Sequence, residues 1–235
     1  MKICFSWDDG AVEDEKLISL HEHFSIPATF FIPTYNREGR AVISSDIIKK
    51  TESEIIRFGG HTANHTYLTD IPFSEVENEI VSNKSYLEDL LGHEISDFCF
   101  PGGRYNEKIL QKVYEYYKTA RSADTMNFSY NEGIFKPTFH FYPRGLKSLL
   151  GNGIRNMNIR ETLFVLMKYK NDYFEMIKKF LDFENNESEK IIAIWGHSWE
   201  LEKFDLWDKL IDLMKYTKKF ECVPYSEVFY AEKKK

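Results

Sequence analysis

Cysteine is scarce in this chain. Cys4, Cys99 and Cys222 are the only three among 235 residues, too few and too scattered for a disulfide framework. None stands at a C-x-x-C spacing, and Cys4 and Cys99 lie in apolar, strand-like runs where cysteine behaves as a small hydrophobe. Excess positive charge is also missing. A net charge of −6 argues against nucleic-acid binding, which needs clustered Lys and Arg to meet phosphates; Lys233-Lys234-Lys235 reads as a solvated terminus. No apolar run approaches the roughly 20 residues of a membrane span. No basic segment followed by a long apolar stretch opens the chain, so a cytoplasmic protein is the expectation. Neither an internal repeat nor an interdomain linker is visible. What remains, 43% hydrophobic and 29% charged residues, is ordinary for a globular protein long enough to bury a full core. The expectation is one domain over 1–235.

Strand-like and helical segments alternate. Ile3 to Trp7 reads as a buried strand, Glu13 to Phe24 as a helix with Leu17, Leu20 and Phe24 on one face, and Ala28 to Ile32 as a strand stopped by Pro33. A helical piece around Ser45 to Arg57 leads into Phe58-Gly59-Gly60. Ser74 to Leu91 is predicted as a helix, with Ser74 as its cap, Glu77 at capping-box spacing and Gly92 ending it. Asp97 to Phe100 reads as a strand, Glu107 to Tyr117 as a helix, and Thr119 to Ala123 as a short strand. Asp124 to Ile159 is irregular, rich in Asn, Gly, Pro and aromatics. Asn158 to Phe180 looks helical in one or two pieces, Asn185-Asn186-Glu187-Ser188 is a polar connection, and Lys190 to Trp195 is a continuous apolar strand of the kind buried on both faces. Asp205 to Lys219 is the last predicted helix. Repeated strand–helix units imply a parallel sheet or barrel.

Three separate segments carry the chemistry. His61-Thr62-Ala63-Asn64-His65 holds two histidines that can converge on one divalent metal. Gly59-Gly60 before it permits a close backbone path, and Thr62 and Asn64 can hydrogen-bond the loop or a histidine ring. Asp8-Asp9-Gly10 follows the first strand. Alone it is a common turn signature; with the histidines it offers one carboxylate as ligand and another as base. Gly196-His197-Ser198 follows the last strong strand. A lone histidine there is more often structural, yet histidine is the side chain titrating nearest neutral pH. Asp8-Asp9, His61, Pro101-Gly102 and His197 each follow a strand-like run, as catalytic groups do at the C-terminal ends of β/α-barrel strands. Trp195, Trp199 and Trp207 read as core and groove packing, with Trp199 able to wall a sugar cleft. His140, among Phe139, Phe141 and Tyr142, reads as packed.

In this order the motifs resemble the polysaccharide deacetylases (NodB-homology domain, carbohydrate esterase family 4), over roughly Ile3 to Met214. The resemblance implies a distorted (β/α) barrel and metal-dependent removal of an acetyl group from an N-acetylated sugar. By Ser6-Trp7-Asp8-Asp9-Gly10, Asp8 looks like the catalytic base and Asp9 like a metal ligand; His61 and His65 look like the other ligands. Phe98-Cys99-Phe100-Pro101-Gly102-Gly103 resembles the motif that walls the groove and holds the oxyanion by a backbone N–H. Ile194-Trp195-Gly196-His197 makes His197 look like the general acid. His₂Asp with open positions suits zinc, with cobalt, nickel or iron also compatible.

The chain also departs from the family pattern. Cys99 stands where an arginine often orients the base, and cysteine cannot supply that charge. Arg104, Arg121 and Arg144 are candidate replacements, with Arg121 favoured because it lies at the end of the next strand. Gly102 stands where an aromatic is common, which predicts a more open groove. Gly196-His197-Ser198-Trp199-Glu200 replaces an aliphatic-His-Asp run. The expected substrate is an N-acetyl sugar, a nucleotide- or lipid-linked precursor in surface polysaccharide assembly. The alternatives are hydrolysis of another C–N bond, as in a cyclic amide or imide, and a family member that binds carbohydrate without turnover.

Overall fold

The computed structural model describes residues 1–128, 134–169, 172–184 and 190–230. The chain runs through β1 (Lys2–Trp7), α1 (Asp14–Phe24), β2 (Ala28–Ile32), α2 (Ser45–Thr51), β3 (Ile56–Gly60), α3 (Phe73–Leu91), β4 (Asp97–Cys99), α4 (Glu107–Tyr114) and β5 (Thr119–Arg121). It continues through β6 (Phe139–His140), α5 (Leu146–Arg155), α6 (Ile159–Lys168), α7 (Tyr173–Glu184), β7 (Ile191–Gly196), α8 (Ser198–Lys203), α9 (Trp207–Thr217), β8 (Glu221–Cys222) and α10 (Tyr225–Tyr230). The strands lie in the order β5-β4-β3-β2-β1-β7-β6, with β8 beside β1. Every named strand pair is parallel. This is the distorted (β/α) barrel expected from the sequence, a curled sheet wrapped by helices.

Alternation along β1 divides the interior in two. Ile3, Phe5 and Trp7 join the layer that also holds Leu17, Val76, Ile80 and Leu210 from the helices. Cys4 turns to the concave side, with Phe31, Cys99, Phe135 and Ala193, and Tyr225 and Val228 of α10 plug that side. A strand whose two faces are both covered needs a mostly apolar sequence; β7 is apolar throughout, and β1 and β2 carry only Ser6 and Thr29 as polar residues among their buried positions. The two sheet edges meet through residues 135–140. Phe135 exchanges backbone hydrogen bonds with Ala120 and Ser122 at the β5 edge, and Thr138 then bonds Ala193 of β7. That link closes the curl.

Several predicted boundaries move. The helix expected around Ser45 to Arg57 stops at Thr51, and Ile56 and Arg57 belong to β3, paired with Ala28 and Thr29. The helix predicted from Ser74 begins at Phe73, with Pro72 in the cap position and no side-chain cap. Proline has no N–H to satisfy and a φ already set for the helix, so the capping box does not form; Glu77 accepts from the Tyr116 hydroxyl instead. Gly92 ends α3 at φ 77°, as expected. The strand predicted over Thr119 to Ala123 ends at Arg121, and the Asn158 to Phe180 region is two helices, α6 and α7. The irregular region contains β6 and α5, neither read from sequence. The Asn185-Asn186-Glu187-Ser188 connection and the lysine tail lie outside the described residues. Among the described residues no helix is long and apolar enough to cross a membrane.

Candidate active site

The loops leaving the C-terminal ends of β1, β3, β4, β5 and β7 converge. The Asp8 N–H donates to the Gly196 carbonyl at 3.0 Å, tying the end of β1 to that of β7. Asp9 then takes φ 77° and Gly10 φ 60°. Two successive left-handed residues turn the neighbouring carboxylates in different directions, and a non-glycine residue holds such a φ only where its surroundings enforce it. Thr62 and His65, at φ 66° and 53°, share this strained geometry.

Asp9 faces the histidines. Its Oδ1 lies 3.0 Å from His65 Nε2, 3.6 Å from His61 Nε2 and 3.9 Å from His197 Nε2. Its Oδ2 accepts the Trp199 indole N–H at 2.9 Å. Trp199 is thus bonded to a carboxylate of the site as well as packed beside it. Burial opposes the Asp9 charge, but His197, His61 and His65 hold the carboxyl well below its usual range. His61 is fixed at both ends: its N–H donates to Asn83 Oδ1 at 2.8 Å and its Nδ1 to the Cys99 carbonyl at 2.7 Å. That second bond engages Nδ1 and turns Nε2 toward Asp9. Gly60 makes the arrangement possible, since a Cβ there would sit 2.2 Å from the Tyr117 hydroxyl oxygen and 3.0 Å from Asn83 Oδ1. The loop carrying His65 is held by Glu79 of α3, which accepts from the Asn64 backbone and side-chain N–H groups at 3.0 and 2.8 Å.

Asp8 faces the interior of the barrel. Its Oδ1 pairs with the wholly buried Arg121 guanidinium, and its Oδ2 lies 3.5 Å from the Cys99 thiol. Cys99 and Arg121 are register partners on β4 and β5. The charge missing from position 99 therefore comes from the adjacent strand, and the thiol is a weak neutral donor beside it. Burial and Asp8 push the Cys99 thiol up against the pull of Arg121, so it stays protonated. Burial disfavours the Arg121 charge, but Asp8 more than compensates. The other two candidate arginines point elsewhere. Arg104 is solvent-exposed, 3.3 Å from Asp70, and Arg144 donates to His140 Nδ1 at 2.6 Å.

His197 ends β7. Its Nδ1 bonds Glu200 Oε2 at 2.8 Å, and His140 Nε2 bonds the same oxygen at 2.8 Å. Burial works against the His197 charge, yet Asp9 and Glu200 raise its pKa to about 9. Burial lowers His140 to about 4 despite Glu200. Glu200 itself, though burial opposes its charge, is drawn to about 2 by the two histidines. His140 does pack, stacked 4.1 Å from Trp195, but it is also the second partner of Glu200.

Gly102, at φ 60°, faces Tyr67, whose ring carbon lies 3.0 Å from where a Cβ would stand. Tyr67 sits between Arg37 and Arg104. The more open groove expected from Gly102 is therefore not found, because Tyr67 fills that space. Pro101 is buried beside it, and Gly103 also has a positive φ, 67°. Four further groups carry site geometry that sequence reasoning did not assign: Glu200, Asn83, Glu79, and Arg40, which lies 3.6 Å from Asp9 Oδ2 and over the Trp199 ring. The spacing of Glu200 three residues after His197, on one helical turn, was the available signal.

Among the described residues, three groups bring metal-type donors within 4.8 Å of one another: Asp9, His61 and His65; Asp8, His61 and Cys99; and His140, His197 and Glu200. The second lacks a thiolate, because the Cys99 thiol stays protonated. The third is closed by hydrogen bonds and backed by the Arg144 cation. The first has an ionised carboxylate oxygen 3.6 and 3.0 Å from the two imidazole nitrogens, close to the about 3.3 Å that tetrahedral bonds of about 2.0–2.1 Å require. The residues present therefore fit a divalent ion.

The family model described as "Polysaccharide deacetylase" matches residues 1–119, the half of the chain that carries Asp8, Asp9 and both loop histidines. The peptidoglycan-N-acetylglucosamine deacetylase of Bacillus cereus is 22% identical over 161 residues, 66% of this chain and 67% of that protein. The solved structure of a polysaccharide deacetylase from Bacillus cereus aligns with TM-score 0.51 at 22% identity, over 58% of this chain and 46% of that one. A peptidoglycan N-acetylglucosamine deacetylase solved with a hydroxamate-type benzamide aligns over 97% of this chain and 87% of its own, with TM-score 0.59 and 18% identity. Matched by the family model over its first half, and in fold along nearly its whole length, the chain belongs to the polysaccharide deacetylase family.

Proposed function

We propose that this protein is a metal-dependent N-deacetylase of carbohydrate, hydrolysing the acetamide of an N-acetylglucosamine-type sugar. The observation that carries the reading is the division of labour between neighbouring carboxylates: Asp9 turned to two imidazole nitrogens, Asp8 turned to Arg121. The relative named as a peptidoglycan-N-acetylglucosamine deacetylase supports the sugar class.

Asp9, His61 and His65 would hold the ion, with zinc the best match to a His₂Asp set. When bound, a divalent ion supplies Lewis acidity toward the acetyl carbonyl and a water of lowered pKa. Asp8 is the base: Arg121 and the Cys99 thiol fix its carboxylate, so it accepts the proton of the attacking water without reorienting. The backbone at Gly102, with Pro101 and Gly103 setting its path, offers an N–H to the developing oxyanion. His197 is the general acid. Its Nδ1 is engaged by Glu200, which leaves Nε2 to protonate the departing amine. Trp199 anchors Asp9 and forms one wall for the sugar.

Asp8→Asn tests the assignment. It should retain metal at wild-type stoichiometry, since Asp8 is no ligand, and lose acetate release by about 10²-fold or more. Elemental analysis beside an acetate assay on an N-acetylglucosamine oligomer reads both; turnover close to wild type would remove Asp8 from the role. The reading without turnover drew on the missing arginine at position 99; the Arg121–Asp8 pair favours turnover instead.

A further inference from the structure

Residues that follow β5 and β6 line a cavity of about 400 Å³: Thr125, Lys136, Arg144, Asn152, Arg155 and Asn156, with Ala123 and Asp124. Three cations face one carboxylate there, in a chain whose net charge is −6. Asp124 meets Lys136 at 3.6 Å; Arg155 has no ion pair among the described residues. The amide nitrogens of Asn152 and Asn156 are spent on Thr125, at 2.8 and 2.9 Å. Their oxygens remain as acceptors for hydroxyl groups. Arg144 joins this cavity to the site through His140 and Glu200 to His197.

Helices α5 and α6, which rise from the cavity wall, form a hairpin of unusual surface. Six of the ten exposed large hydrophobic residues among the described residues are Ile154, Met157, Ile159, Leu163, Leu166 and Met167, at 46 to 82% exposure. On α6, Ile159, Leu163 and Leu166 recur at helical spacing along one outward face, while Phe164 and Val165 pack inward. Between Leu146 and Lys168 the only acid is Glu161, which is buried, against Lys147, Arg155, Arg160 and Lys168. Of these cations only Arg160 is paired, with Glu161 and Glu184, among the described residues. Exposed apolar residues on a hairpin that also carries unpaired cations are complementary to an anionic lipid surface, where the side chains enter the interface and the cations meet headgroups. An apolar protein partner would call for no such excess of cations.

We propose that the α5–α6 hairpin docks on an anionic bilayer, and that the cationic cavity at its base receives the phosphoryl group of a lipid-carried sugar substrate. The docking half stands on the surface alone; the substrate half rests on the deacetylase reading.

Co-sedimentation with vesicles tests docking. The wild type should bind vesicles of equal phosphatidylglycerol and phosphatidylcholine and not pure phosphatidylcholine, with the bound fraction falling as salt rises. Leu163→Asp with Met167→Asp, both exposed and outside the site, should weaken binding about tenfold or more. Failure of the wild type to bind anionic vesicles overturns the proposal. So does a dimer in solution that the same substitutions dissociate, which would make the face an interface between copies. Lys136→Ala with Arg155→Ala tests the cavity. Acetate release from an N-acetylglucosaminyl phosphate on an alkyl chain should show a KM raised about tenfold with kcat unchanged, and release from a neutral N-acetylglucosamine oligomer should not change. Equal effects on both substrates overturn the phosphoryl assignment. Vesicle binding by wild type and not by the hairpin variant, with acetate released from neither substrate, would uphold docking and overturn the deacetylase reading instead.

Discussion

Arg121 is wholly buried, between the rings of Phe31 and Trp195 at 5.1 Å each, and Asp8 is its one carboxylate partner among the described residues. Removing one member of a buried pair strands the other charge, a loss on the order of 3–5 kcal/mol. Arg121→Met should therefore destabilise the fold by that order and abolish turnover, while Arg121→Lys keeps the charge but loses the fork that holds Asp8. Because Cys99 and Arg121 are register partners facing the same interior, the exchange Cys99→Arg with Arg121→Cys should recover both stability and part of the turnover. Denaturant unfolding beside acetate release reads the series. Recovery of stability with no recovery of turnover would make Arg121 a structural group only. This residue was legible in the sequence by its place at the end of the next strand. Glu200 was legible only as a member of the run after His197, since the bond that gives it a role depends on α8 turning it back.

At the scale of elements, α3 fixes the metal-type loop more than β3 does. Asn83 accepts from the His61 N–H and donates to the Ile32 carbonyl at 3.0 Å and the Thr34 hydroxyl at 3.1 Å. One amide thus ties α3 to the ends of both β2 and β3. Asn83→Ala leaves a buried N–H and carbonyl without partners, about 1–3 kcal/mol for each, and frees the loop that sets His61. The expected outcome is a lower unfolding midpoint and weaker zinc binding, with the fold retained; calorimetric titration with zinc checks it, and unchanged affinity would place the control of His61 in the Cys99 carbonyl alone. The helical period of α3 was readable, and so was its end at Gly92. The value of Asn83 was not, because a buried polar residue on an apolar stripe declares its partners only when the sheet is present. The elements missed in 124–159 have a related cause. α5 contains Asn152, Gly151 and Gly153, poor helix formers. Gly153 is needed where α5 packs on α6, since a Cβ there would meet the Thr162 hydroxyl at 2.0 Å. β6 is only two residues long and exists through its pairing with Ile194 and Trp195.

For the molecule as a whole, the parallel class followed from the continuous apolar strands, while closure did not, because it depends on residues 135–140 meeting two distant edges. The packed interior that results encloses titratable groups whose charges it disfavours, and stability becomes a function of pH. Asp14 is wholly buried, and burial holds its carboxyl well above the usual range. It releases its proton more readily unfolded than folded, so its contribution favours the fold at low pH. His21 acts in the opposite sense. Its ring is wholly buried, with Nδ1 donating to the Ile26 carbonyl at 2.9 Å and Nε2 accepting the Trp7 indole N–H at 2.8 Å. Both nitrogens are satisfied only in the neutral form. Burial lowers its pKa from 6.5 to about 4 even though the Ile26 bond raises it. Between those values the unfolded chain binds a proton that the fold refuses, so stability is present above pH 6.5 and declines as pH falls toward 4. At 1.36 kcal/mol per pKa unit, the decline from this one group is on the order of 3 kcal/mol. His21→Gln has no proton to take up, so it should be less stable than wild type at neutral pH and converge with it as the solution is acidified. Subtracting the two unfolding free energies across pH 7 to 4 cancels Asp14 and every other group common to both proteins. A difference that stays constant over that range would mean that His21 is not the neutral buried ring its two hydrogen bonds require.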